Sequence, residues 1–78
     1  TLGFVYYKRG EYGLAEPRLR QAAELSANNA VIQYHLGLTY HQLGRKADAA
    51  TWLRRSLQAD AKFSGSDNAR KLLDELGG

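Results

Sequence analysis

Leu2-Gly3-Phe4-Val5-Tyr6-Tyr7-Lys8-Arg9-Gly10 and Leu36-Gly37-Leu38-Thr39-Tyr40-His41-Gln42-Leu43-Gly44 carry one pattern, Leu-Gly-x-x-Tyr-x-x-x-Gly, twice. The copies start 34 residues apart. At the same offset Ala15 pairs with Ala49, Leu19 with Leu53, Arg20 with Arg54 and Ala27 with Ala61, so the period spans a whole structural unit. A fixed period of this size marks a stacked helical repeat, in which each unit contacts only its neighbours.

Composition agrees with a small helical domain. A chain of 78 residues buries only about 60% of its unfolded surface, a limit that a repeat array eases by summing unit and interface terms. Its apolar share of 44% and single proline argue for a folded, helix-rich chain. The absence of cysteine removes disulfides, thiolate catalysis and cysteine metal sites.

The net charge of +3 comes from Lys and Arg residues interleaved with Asp and Glu along the whole chain. Arg18, Arg20, Arg45-Lys46 and Arg54-Arg55 lack interleaved aromatics, and acidic residues interrupt them. They read as a solvated face and do not point to nucleic acid. No apolar run approaches the roughly 20 residues of a membrane span, and no charged-then-apolar leader opens the chain. Beginning at Thr1 inside a repeat, the sequence reads as the C-terminal piece of a longer array.

Taken in order, Leu2 to Arg9 reads as the last two turns of a helix stopped by Gly10. Tyr12 to Leu25 forms a second helix with Leu14, Ala15, Leu19, Ala22, Ala23 and Leu25 inward; Pro17, near its start, predicts a slight bend and no break. Asn29 caps a third helix from Ala30 to Leu43, with Ile32, Leu36, Tyr40 and Leu43 inward. A fourth runs to about Ala59 with Ala49, Trp52, Leu53, Ser56 and Leu57 inward. Ser66 is expected to cap a last helix, Asp67 to Leu76, finished by Gly77 and Gly78, with Arg70–Asp74 and Lys71–Glu75 as i,i+4 pairs. Carried into that helix, the register is read as giving no matches, as in a capping element.

These residues resemble the tetratricopeptide repeat family. The resemblance rests on Leu2, Gly3, Tyr6, Gly10, Tyr12, Ala15, Leu19, Ala22, Glu24 and Leu25, and again on Tyr34, Leu36, Gly37, Tyr40, Gly44, Ala49, Leu53, Leu57 and Asp60. It covers residues 1–63 and implies an all-α, right-handed α-α superhelix: a hairpin unit over 1–29, a second over 30–63 and a capping helix over 64–78. Ala27 and Ala61 stand where the family usually has proline, and Ser56 where it has Ala, so looser unit exits are expected. The Tyr34-His35-Leu36-Gly37 run and the Phe63-containing turn look like those of bacterial members.

The resemblance further implies a concave groove lined by the first helices of successive pairs. Its residues here are Phe4, Tyr7 and Lys8, then Val31, Tyr34, Leu38 and His41, with His35 and Gln42 at the edge. Such a groove suits an extended segment or an amphipathic helix of a protein or peptide partner. Some members grip a terminal carboxylate with Asn and Lys. Here Phe4 and His35 occupy two of the Asn places, and Gly65 and Ala69 those of Lys and Arg, so that clamp is not expected.

Other chemistry finds no footing in the sequence. His35 and His41 lie about 120° apart around a helix without a third ligand, and no triad, carboxylate pair or phosphate loop is recognisable. No cofactor or catalytic activity is expected. A second reading is a structural role in which the open N-terminal face around Leu2, Val5, Tyr6 and Leu19 packs against the parent chain or against another copy of itself.

Overall fold

Glycine stops and the spacing of apolar residues divide the chain into five helices, α1 (Leu2–Lys8), α2 (Tyr12–Leu25), α3 (Ala30–Gln42), α4 (Lys46–Ala59) and α5 (Ser66–Glu75). The computed structural model describes residues 2–77, among which there is no strand. Thr1, the start of the first expected unit, and Gly78, one of the two terminal glycines, lie outside the described residues. Gly10 (φ +76°) and Gly44 (φ +80°) turn the chain after α1 and α3 through the left-handed region, which only glycine enters at little cost. α1 packs on α2, α2 on α3, α3 on α4 and α4 on α5, so each helix meets its neighbours in sequence.

The two hairpins close through a backbone approach that leaves no room for a side chain. A Cβ at Gly37 would lie 2.9 Å from Leu53 Cγ and 3.3 Å from the Ala49 carbonyl. At Gly3, one repeat earlier, it would lie 2.8 Å from Leu19 Cγ. Leu19, Leu53, Ala15 and Ala49 are all fully buried. One core joins Ala15, Leu19 and Ala23 to Ile32, Leu36 and Tyr40; a second joins Ala30, Ala50 and Leu53 to Phe63, Ala69 and Leu73.

Several local expectations are corrected. Leu14 and Leu25 are exposed because the buried stripe of α2 is Ala15-Leu19-Ala23, and residues one or two positions off a four-residue stripe face outward. Leu43 is the C-cap of α3, where the chain turns into Gly44, and is also exposed. Leu19 does not belong to the open N-terminal face, since it is fully buried against Gly3; Leu2, Val5 and Leu14 are each exposed. Ser66 is the first helical residue of α5 and caps nothing with its side chain; Gly65 precedes it as N-cap. Arg70 does not pair with Asp74: it turns back to Asp67 at 3.3 Å and donates to the Ala61 carbonyl. Lys71 and Glu75 form no ion pair.

Where proline was missing, side chains fasten the exits. Gln33 Nε2 donates to the Ala27 carbonyl at 2.6 Å, and Arg70 holds the equivalent carbonyl of Ala61. Ser56, fully buried, gives its hydroxyl to the Leu53 carbonyl at 2.6 Å. Asn29 caps α3 as expected, accepting from the Ile32 amide at 3.1 Å. Pro17 sits inside an unbroken α2; it and Gly13, whose carbonyl lost its donor, are exposed, so that carbonyl is open to solvent.

Tyr40 ties the hairpins together. Its ring is buried, its hydroxyl donates to Glu16 Oε2 at 2.6 Å, and the Arg45 guanidinium lies 4.6 Å from the ring centre. Burial first, then the bond to Glu16 and its negative charge, push the Tyr40 pKa up to about 12. An unfolded tyrosine ionises near 10, so the unfolded chain loses this proton first as pH rises. The stability contributed is therefore complete below pH about 10 and is lost between about 10 and 12.

Two outcomes follow. Gly37→Ala gains about 1 kcal/mol of helix propensity but overpacks Leu53, for about 1–3 kcal/mol of cost, so urea unfolding should show a net loss; equal or higher stability would refute the close-approach argument. Between pH 9 and 12 the wild type should lose on the order of 2 kcal/mol more than Tyr40→Phe, and parallel curves would contradict the assigned role of the hydroxyl.

Candidate partner-binding groove

The side chains left over by the scaffold converge on one face. Phe4, Tyr7 and Lys8 project from α1 and Val31, Tyr34, His35, Leu38, His41 and Gln42 from α3, at the intervals that put residues on one side of a helix. They line two adjoining hollows that share Tyr7. The first, about 260 Å³, is bounded by Phe4, Tyr7, Lys8, Val31 and His35. The second, about 410 Å³, is bounded by Tyr7, Tyr34, Leu38, His41 and Gln42, with Asn68, Lys71, Leu72 and Glu75 of α5 as its far wall.

His35 is half-buried at the centre of this surface and not at its edge. Phe4, Tyr7 and Tyr34 meet its ring edge-to-face at centroid distances of 4.7, 5.4 and 5.4 Å. Its Nδ1 lies 2.8 Å from the Val31 carbonyl. A carbonyl only accepts, so Nδ1 carries a proton in this bond. Tyr12 and Phe63 extend the cluster, against Tyr7 at 5.6 Å and Tyr34 at 5.3 Å. Burial, with smaller contributions from Tyr12 and Tyr34, raises the Tyr7 pKa, so its hydroxyl stays neutral at ordinary pH.

The four α5 residues were missed by sequence reasoning, although the register pointed to three of them. Asn68, Leu72 and Glu75 stand 34 residues after Tyr34, Leu38 and His41. The helix lacks the scaffold pattern yet keeps the groove positions. Asn68 Nδ2 donates to the Tyr34 hydroxyl at 2.6 Å, which joins the second and third parts of the groove. The absent clamp has a steric side as well. Any Cβ at Gly65 would come within 2.6 Å of the Tyr34 ring, and Ala69 is fully buried, so neither place holds a cation without displacing the groove wall.

Among the described residues, hollows elsewhere include two of comparable size. The larger, about 560 Å³, is a shallow depression among turn residues such as Ser26, Asn28 and Asp60, and Asp60 Oδ1 is already taken by the Lys62 amide. Another, about 390 Å³, runs beside Trp52, which is covered by Arg55 at 4.6 Å. Neither gathers an aromatic cluster. Among the described residues no three His, Asp or Glu side chains are grouped to hold a metal, and no helix is long and apolar enough to cross a membrane.

No curated protein matches this sequence significantly. The family model described as tetratricopeptide repeat matches residues 1–62, the span of the two hairpins and the turn after them. Tetratricopeptide repeats are generally modules of protein–protein interaction and typically non-catalytic scaffolds. With the repeated Gly–Leu approach, the helical pairs and this match in agreement, the chain belongs to the tetratricopeptide repeat family.

Proposed function

We propose that the chain is a non-catalytic binding module that holds a segment of a partner protein in the groove between α1, α3 and α5. The carrying observation is the convergence of half-buried aromatic and apolar side chains with polar ones in two adjoining hollows. None of Tyr7, Tyr34, His35 and Leu38 is one of the fully buried core residues. Apolar anchors beside a few directional polar groups are what an interface needs for affinity and register. We read the units as 1–29, 30–63 and 64–78, with α5 standing where the first helix of a further pair would stand.

A second reading has its own observation. Leu2 and Val5 of α1, each 47% exposed, and Leu14 of α2, 52% exposed, are apolar side chains left uncovered on the N-terminal face of the fold. Self-association through that face would cover it.

Val31 and Leu38 line the hollows but belong to neither core, so their loss spares the fold. Peptides selected from a displayed random library by the wild-type chain should bind Val31→Glu/Leu38→Glu at least about tenfold more weakly, with unchanged helical circular dichroism. Undiminished binding, or a library that yields no peptide, would reject the groove. For the second reading, sedimentation should show mass rising with concentration and Leu2→Glu/Val5→Glu restoring the monomer; a strictly monomeric wild type would dispose of it.

A further inference from the structure

Away from the groove, the hollow beside Trp52 opens where the C-terminal ends of α2 and α4 meet the first turns of α3. Its volume of about 390 Å³ lies within the roughly 300–1,000 Å³ of small-molecule sites. Ala23, Ala27, Ala59 and the Trp52 ring give it apolar walls, and Glu24 and Arg55 bring its charges.

Gln33, which also lines it, is 4% exposed. Its amide cannot turn over, because the Ala27 carbonyl holds Nε2 at 2.6 Å and so fixes Oε1 on the other side. No group among the described residues donates to that buried oxygen. An acceptor left in this way calls for a donor from outside the chain. The oxygen is covered, so the donor must push aside part of the lining; Asn28 and Gln58, both exposed, are the side chains free to yield.

The surroundings set the charge of that donor. Neither α2 nor α4 carries a basic residue in its last turn, and the negative ends of both helices favour a cation. Glu24, exposed and in no ion pair, adds a carboxylate. A bare cation would still meet Arg55, whose guanidinium lies 4.6 Å from the Trp52 ring centre and has no acidic partner among the described residues. A guanidinium pairs best with a carboxylate, so the hollow selects a molecule bearing one charge of each sign.

We propose that this hollow binds a free α-amino acid with an apolar side chain. The ammonium group donates to Gln33 Oε1 and Glu24, the carboxylate meets Arg55, and the side chain lies against Trp52 and the alanines around it.

Trp52 is the chain's single tryptophan, so its fluorescence reports on this hollow. Titration with L-leucine should change it saturably. 3-Methylbutylamine and 4-methylpentanoate, each lacking one of the charged groups, should need at least about tenfold higher concentrations. Glu24→Gln and Arg55→Gln should each weaken leucine by about the same factor; both positions are exposed, and circular dichroism verifies the fold. Val31→Glu/Leu38→Glu, in the groove, should bind leucine as the wild type does. No saturable change at roughly 10 mM leucine, equal binding of either half-molecule, or indifference to both charge substitutions would overturn the inference. Loss of leucine binding in the groove variant would overturn it as well, by placing the ligand elsewhere.

Discussion

The closeness of paired helices at Gly3 against Leu19 and Gly37 against Leu53 governs the rest of the structure. With a Cβ placed under 3 Å from a buried leucine, the helices of each pair would have to move apart. The small Ala15 and Ala49 would then no longer fill the interface, and the cores on either side would open. Because each approach is local, the same device works once per repeat and needs no contact between distant parts of the chain. It also fixes what remains free: side chains on the opposite side of α1 and α3 contribute little to the hairpin interface and can vary in chemistry.

That division of labour explains what could be read from the sequence. The period, the glycine stops, the Asn29 cap and the register of the close approaches are short-range consequences of residue type, and all appear at the expected positions. What was misread depends on which way a residue turns by a fraction of a helical turn. Leu14 and Leu25 are apolar and near the stripe, yet only alignment with Leu19 buries a residue of α2. Side-chain choices between near-equal partners were equally illegible: Arg70 found the Ala61 carbonyl and Asp67 instead of Asp74.

The groove shows the same boundary. Its α1 and α3 residues follow from the repeat register, but the centrality of His35 does not. Two residues one apart on α3, Tyr34 and His35, both turn toward the same side because three further rings gather around them. The helix α5 was read as a cap from its missing scaffold residues, which obscured its three groove positions. A capping element and a binding wall are compatible roles. Scaffold positions answer to the helix packed behind them, whereas groove positions answer to whatever lies in front.

Departures from the family pattern carry a related lesson about energetics. Proline after the second helix restricts the chain directly, through its ring. At Ala27 and Ala61 the restraint comes instead from Gln33 and Arg70, which belong to the following helices and bond the freed carbonyls. Such a restraint exists only when α3 or α5 is docked, so it couples the order of each exit to the packing of the next helix. For α5 the coupling reaches the groove, because the same helix that supplies Arg70 also presents Asn68 to Tyr34. A partner lying across Tyr34 and Asn68 would bridge α3 to α5 and thereby favour the docked state of a helix that otherwise packs chiefly on α4.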